Sequence, residues 1–171
     1  MAVRPDPEVG YRRPGDHLGT RDVERRVFVQ APPRAVWATL HDTDASLTIH
    51  PDLRLGPAEP TWPAASSTRS AVTRIGLLRD RARVESLEVR PEALFRLRIS
   101  GSGFTSDWLW RLEPVAGGTR VVHAATFEPI DRWTELLVRL GRSTLSNRVE
   151  AHLRGLKEQA ERAVAVTGAS R

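Results

Sequence analysis

Residues 104–127 read FTSDWLWRLEPVAGGTRVVHAATF, and they carry the strongest secondary-structure signal in the chain. Side chains alternate in character at period two on both sides of a Pro- and Gly-containing segment, which is typical of two β-strands joined by a turn. We expect Pro114 to end the first strand, and Gly117 and Gly118 to supply positive φ angles in the turn. One face of the predicted hairpin carries Phe104, Ser106, Trp108, Trp110, Leu112, Val121, His123, Ala125 and Phe127. Two indoles and an imidazole on one face indicate the wall of an aromatic-lined interior.

The segments before this hairpin predict further antiparallel strands, because short alternating runs are separated by tight turns. Ala31-Pro32-Pro33 ends the first run, and proline at a first helical position predicts a helix that ends near His41–Asp42. A second short helix or turn is predicted for 44–50. The predicted strands are 21–30, Leu53–Leu55 (an edge strand), Thr68–Ile75, Leu78–Val89 and Leu94–Ser100.

After Pro129 the apolar period changes to three and four residues, which predicts amphipathic helix. A first stripe holds Trp133, Leu136, Leu137 and Leu140, and a second continues through Leu145, Val149, Leu153, Leu156, Ala160 and Ala163. The phase slips at Gly141, so we expect either a kink or a short helix followed by a longer one from near Ser143 to Thr167–Gly168. The first stripe either packs on the sheet or forms a lid over the interior.

Length and composition predict one domain of ordinary globular character: 171 residues, 40% hydrophobic and 27% charged. We expect a mobile leader at 1–20, a folded domain at 21–166 and a tail at 167–171. No apolar run is long enough for a membrane span, and the first residues lack the apolar core of a signal peptide, so a cytoplasmic location is expected. The absence of cysteine excludes disulfides, thiolate metal sites and a cysteine nucleophile.

The net charge of +5 comes from arginines that are interleaved with acidic residues. Such a mixture predicts a solvated surface and no nucleic-acid partner. The segment Arg69–Arg83 is the least neutralised, and it suits either an acidic partner, an anionic ligand or outward strand positions. We expect a monomer or a weak homodimer.

Three phrases in this order resemble the START/Bet v 1-like superfamily, also called SRPBCC or polyketide cyclase/dehydrase and lipid-transport proteins. They are VFVQAPPRAVW at 27–37, WRLEPVAGGTRV at 110–121 and LRGLK at 153–157. The resemblance covers about residues 21–165 and implies an α+β helix-grip fold, in which an antiparallel sheet wraps around a long C-terminal helix and encloses a hydrophobic cavity. It implies no single reaction, because the superfamily includes lipid carriers, hormone receptors and cyclases.

The aromatic polyketide aromatase/cyclases of this superfamily resemble the chain at Trp37 and Trp110. They differ after the first helix, where a Trp and a Tyr of those enzymes correspond to Ser46 and Leu53. No arginine of the predicted middle strands is assigned as the equivalent of their cavity arginine.

The leading hypothesis is binding of a lipid- or polyketide-like small molecule in a cavity on the order of several hundred Å³. The predicted ligand-binding residues are Trp37, Phe95, Trp108, Trp110, His123, Phe127, Trp133, Leu137 and Leu140. The alternative is a cyclase or dehydratase in which His123 is the catalytic acid or base. A third possibility is an interaction or stress-response protein with a vestigial cavity.

Other chemistries are not supported by residue spacing. His41, Asp42, Asp44, His50 and Asp52 lack the spacing of metal ligands, so no metal and no cofactor are predicted. A Ser106–His123–Asp107 triad is rejected, because Ser106 and Asp107 face opposite sides of one strand.

Overall fold

The computed structural model describes residues 21–41, 53–75, 78–140 and 142–169. The strands in these ranges are β1 Arg21–Val29, β2 Leu53–Ala58, β3 Thr68–Ile75, β4 Leu78–Arg90, β5 Leu94–Ser100, β6 Phe104–Val115 and β7 Gly118–Pro129. The helices are α1 Pro33–His41, α2 Arg132–Leu140 and α3 Arg142–Ala169. No helix in these ranges is long and apolar enough to cross a membrane.

The strands form one antiparallel sheet in the order β1-β7-β6-β5-β4-β3-β2. Every neighbouring pair is antiparallel. The first strand therefore pairs with the last, and the sheet curves around α3. This architecture confirms the predicted α+β helix-grip fold and the predicted run of strands. The predicted helix at 44–50 lies outside the described residues.

The central hairpin differs from the prediction in its turn. Strand β6 continues through Pro114 to Val115, and Pro114 pairs with Thr119 of β7. Pro114 lies beyond the start of β5, where Leu94 pairs with Arg111, so its missing N–H costs no bond to β5. Gly117 has the expected positive φ of 81°.

Gly118 is needed for a different reason from the one predicted, because its φ is not among the positive angles of the chain's described residues. A Cβ atom at this position would collide with the backbone oxygen of Val29 on β1. Glycine is required here because two backbones approach closely, and not because the turn demands a left-handed conformation.

Helix α3 supplies the second half of the core. Its residues Val149, Leu153, Leu156 and Ala160 are all buried, at the three- and four-residue spacing that predicted one apolar face. Polar contacts hold the other side of α3 to β1 and the segment after it. Lys157 Nζ donates to the Phe28 oxygen at 2.8 Å, and the Glu161 carboxylate accepts from the Gln30 N–H at 2.8 Å.

The break near Gly141 separates two helices, as one of the two alternatives predicted, and α2 does not pack as its stripe suggested. Trp133 is 77% exposed and Leu136 is 46% exposed. Packing of these two residues on the sheet was therefore the wrong interpretation. The structure describes the backbone of Leu137 and Leu140 but not their side chains.

Candidate functional site

A cavity of about 80 Å³ lies between the inner face of the sheet and α3. Its apolar wall consists of Leu53, Ile99, Phe104, Ala125, Phe127 and Val149. Its more polar wall consists of Thr73, Arg74, Ser106, Trp108, Arg148 and His152. The volume is smaller than the several hundred Å³ expected, because the rings of Trp108 and His152 enter the space from opposite sides, with their centroids 5.4 Å apart.

Strand register explains where the space forms. Trp108 of β6 lies directly opposite Ala125 of β7, so a large side chain faces a small one on the inner side of the sheet. Phe127, the next inward residue of β7, stacks on Phe104, which lies two inward positions from Trp108 on β6, with ring centroids 5.0 Å apart. The small Ala125 therefore leaves a gap that is bounded by the indole and the stacked rings.

Hydrogen bonds fix the orientation of Trp108. The indole Nε1–H donates to Ser106 Oγ at 2.8 Å, and the Ser106 hydroxyl in turn donates to the Thr126 backbone oxygen at 2.6 Å. The polar groups of Trp108 and Ser106 are consequently satisfied by the protein itself. The indole presents an oriented aromatic surface to the cavity.

His123 lies behind the cavity wall and does not line the cavity. Its ring stacks on Trp110 at 3.6 Å between centroids and meets Trp108 edge-on at 5.6 Å. A carbonyl can only accept, so His123 Nδ1 carries the proton that it donates to the Leu109 oxygen at 3.1 Å. Nε2 is buried and has no hydrogen-bond partner among the described residues. Burial lowers the pKa of His123 to about 3, so the imidazole is neutral near pH 7.

His152 of α3 lines the cavity, although the sequence patterns did not single it out. It is buried, and its ring centroid lies 6.2 Å from that of His123. Burial is the main cause that lowers the pKa of His152 to about 4, and the charge of Arg148 adds to the effect. The signal that could have found it is its place beside Val149 and Leu153, within the apolar stripe of α3.

Trp37 and Phe95, which were predicted to bind ligand, belong to a separate aromatic cluster. Phe95 meets Trp37 edge-on at 6.3 Å, His41 at 4.7 Å and Trp62 at 6.0 Å between centroids. His41 Nδ1 donates to the Trp37 backbone oxygen at 2.9 Å, and burial lowers the pKa of His41. None of these four side chains lines the cavity beside Trp108.

One arginine of the middle strands, Arg69 on β3, is buried. It lies in the inward row that includes Ala71 and Thr73, a period-two pattern that the sequence alone could have shown. The guanidinium donates to the Gly56 backbone oxygen at 2.6 Å and lies 5.3 Å from the Trp62 ring centroid. Burial lowers the pKa of Arg69. Arg69 thus belongs with the second aromatic cluster and not with the cavity.

The other residues that were predicted to bind ligand lie in three different places. Phe127 and Trp108 line the cavity, Trp110 lies behind it with His123, and Trp133 is exposed on α2. The described residues contain no group of three side chains suited to a metal ion. Of the acidic and histidine positions considered for metal, all but His41 lie outside the described residues.

Comparison with known proteins agrees with this architecture. A profile of the family described as "Polyketide cyclase / dehydrase and lipid transport" matches residues 20–161. The chain belongs to this family, within the START/Bet v 1-like superfamily. No curated protein matches the chain.

Several solved structures share the fold. TTHA0849 from Thermus thermophilus is 23% identical, with a TM-score of 0.66 over 84% of this chain and 99% of that one. The ZhuI aromatase/cyclase from Streptomyces sp. R1128 is 17% identical, with a TM-score of 0.71 over 85% of this chain and 96% of that one. Ara h 8.0201 is 12% identical, with a TM-score of 0.57 over 83% and 98%. At these identities the likeness shows the fold alone.

Proposed function

We propose that this protein binds a small hydrophobic molecule in the cavity beside Trp108. The observation that carries the proposal is an apolar space bounded by a hydrogen-bonded indole, the stacked rings of Phe104 and Phe127, and Val149 of α3. Small-molecule sites are typically concave and apolar, with a few polar groups that orient the ligand. The family's description, which combines cyclase and lipid-transport proteins, is consistent with a ligand of this kind.

The cavity volume limits the size of the ligand. A cavity of roughly 150 Å³ is known to bind benzene in another protein. The space of about 80 Å³ here is about half as large and is partly open, so one ring or a short branched chain is the upper limit of what it takes up in its preformed state. Arg148 of α3 lines the cavity and is partly exposed, so the cavity reaches the surface beside that residue. A longer lipid- or polyketide-like ligand would extend outward there.

Catalysis with His123 as acid or base is the second candidate function. A group with a pKa of about 3 is a weak base near pH 7, and His123 does not line the cavity. Binding is therefore the stronger proposal. Turnover of a polyketide-type substrate by the parent protein that is lost in His123→Ala, while ligand binding is kept, would reverse this order.

The proposed binding is tested by filling the cavity. Ala125→Leu adds a branched side chain inside the cavity, whereas Ala124→Leu makes the same change on the opposite face of β7. We expect toluene or p-cresol at about 100 times the dissociation constant to stabilise the parent by about 2.7 kcal/mol in thermal unfolding. Ala124→Leu should keep this stabilisation and Ala125→Leu should lose it.

Native mass spectrometry of the protein as purified provides an independent measurement, since a co-purifying ligand should be lost from Ala125→Leu alone. Absence of stabilisation in the parent, or equal stabilisation of all three proteins, would contradict the proposal.

A further inference from the structure

Four exposed arginines lie together on the outer face of the sheet. Strand register places Val72 of β3 directly between Arg54 of β2 and Arg81 of β4. Arg74, the next outward residue of β3, lies opposite Arg79 of β4. All four arginines are exposed, and Val72 is 41% exposed. Three adjacent strands therefore present four cations beside one exposed apolar side chain, and we call this surface the arginine cluster.

The charge of the arginine cluster is not neutralised within the part of the chain that the structure describes. None of its four arginines forms an ion pair there. The acid between them on β4, Asp80, instead accepts hydrogen bonds from the N–H and hydroxyl of Ser102 at 2.8 and 3.0 Å. Arg83, further along β4, differs from the four because its charge acts on Glu59. Like charges on neighbouring strands repel one another, so a negatively charged partner would stabilise this face.

The side chains of the cluster indicate which kind of anionic partner fits it. Arginine presents a planar fork of N–H donors that matches a carboxylate in two hydrogen bonds. An apolar centre with polar residues around it is typical of a protein–protein contact, and arginine is enriched in such contacts. Proteins that bind single-stranded nucleic acid stack its bases on aromatic side chains, and β2, β3 and β4 contain no aromatic residue. These features favour an acidic protein surface.

We propose that the arginine cluster docks an acidic surface of a partner protein, with carboxylates on the guanidinium groups and an apolar side chain on Val72. The cluster lies on the outer face of the sheet, whereas the cavity lies between the inner face and α3. This inference therefore goes beyond the proposed function and does not depend on it.

A designed acidic peptide tests the docking. Residues three and four positions apart are neighbours on a helix, so glutamates at these positions on either side of a central leucine surround it. The probe is a labelled helical peptide of this pattern with about 15 residues. In fluorescence anisotropy at low ionic strength, the parent should bind it at least about tenfold more tightly than the same peptide with glutamine for glutamate. Replacement of the central leucine by serine should weaken binding several-fold.

The cluster variant carries three substitutions together: Arg54→Gln, Arg79→Gln and Arg81→Gln. Arg74 is kept because it is among the residues that line the cavity. We expect this variant to bind the glutamate peptide at least about tenfold more weakly than the parent. It should unfold at the same urea concentration as the parent or higher, because repulsion between adjacent strands is reduced. It should also keep the parent's stabilisation by toluene, since the three replaced residues do not line the cavity.

The control variant removes the same charge from arginines that are paired with Glu88 or Glu113: Arg90→Gln, Arg111→Gln and Arg120→Gln. It should bind the glutamate peptide within about twofold of the parent, because the arginine cluster is intact. Equal weakening in both variants would show that only net charge matters, and this would overturn the inference.

Two further results would also overturn it. One is equal affinity of the parent for the glutamate and glutamine peptides. The other is tighter binding of a competing anion, either vesicles of phosphatidylglycerol or an oligothymidylate, that is lost in the cluster variant. That result would assign the cluster to a membrane surface or to nucleic acid. Either result would leave the proposed function standing, because toluene binding is measured separately.

Discussion

Burial makes two imidazoles of this domain neutral at physiological pH. His123 stacks on Trp110 beneath the sheet's inner face, and His152 enters the same region from α3. In the unfolded chain both would titrate near their usual pKa of about 6.5. In the folded chain their pKa values are about 3 and about 4. The unfolded state therefore binds more protons than the folded state between these values.

Stability should fall as the solution is acidified below the unfolded pKa. Above pH 6.5 neither state carries the extra protons, so the histidines cost nothing there. Between pH 7 and pH 5, protonation of each histidine in the unfolded state should lower the free energy of unfolding by about 2 kcal/mol. His123→Phe keeps an aromatic ring on Trp110 and should remove about 2 kcal/mol of this pH dependence. Urea unfolding of both proteins at pH 7 and pH 5 measures the difference.

The window from pH 7 to 5 lies above the usual pKa values of the carboxylates, so these groups contribute little to the change. Arg162→Gln, an exposed change on α3, is the control and should keep the parent's pH dependence. Equal pH dependence in His123→Phe and the parent would contradict the account of His123 as a buried neutral group.

At the scale of the elements, an ion-pair network joins β5 and β6 on the outer face of the sheet. Asp107 accepts hydrogen bonds from Arg98 Nε at 2.7 Å and from Arg96 Nη2 at 3.0 Å. Burial by itself would raise the pKa of Asp107, but the hydrogen bonds from the two arginines outweigh it and hold the pKa below its usual range. This use of Asp107 on the outer face also explains why it cannot serve Ser106, which points inward.

Asp107→Asn should lower the free energy of unfolding by about 1 kcal/mol, because it removes the charge that both arginines share. The arginines are nearly half exposed, which keeps the expected effect modest. Glu88→Gln is the matched control, since its pair with Arg90 is more exposed. That change should cost less than about 0.5 kcal/mol. Urea unfolding at neutral pH distinguishes the two, and an equal cost would argue against a network effect.

At the scale of the whole molecule, the sheet and α3 depend on each other. The strands bury one face only because α3 covers it, and the helix buries its stripe only within the curved sheet. Leu156 is fully buried at the centre of this contact. The cavity is a gap left in the same contact.

Leu156→Ala should lower the free energy of unfolding by about 2–5 kcal/mol, because it removes apolar burial and leaves a second cavity. Val166→Ala, near the end of the same helix, changes a residue that is 64% exposed and should cost less than about 0.5 kcal/mol. Denaturant unfolding of the two variants compares them. A small effect of Leu156→Ala would mean that α3 contributes little to the stability of the sheet.

The alternation of side chains was sufficient to predict most of the fold. It placed β3 and β5 at their observed bounds, and it assigned Trp108 and His123 to the inner face of the hairpin. Period-two and helical patterns are local consequences of backbone geometry, so they are visible in the sequence without knowledge of contacts. The same local rules did not predict that β6 continues through Pro114, why Gly118 is required, or that Trp133 is exposed. These features depend on a neighbouring strand or on contact with solvent.

The sequence by itself determined a helix-grip fold with an aromatic inner wall. Only the tertiary structure decided which part of that wall borders the cavity. Trp108 faces the cavity and Trp110 does not, because His152 of α3 and Ala125 of β7 meet Trp108, whereas His123 covers Trp110. These contacts join residues that are far apart in the chain. The size of the cavity depends on such contacts, which no local pattern encodes.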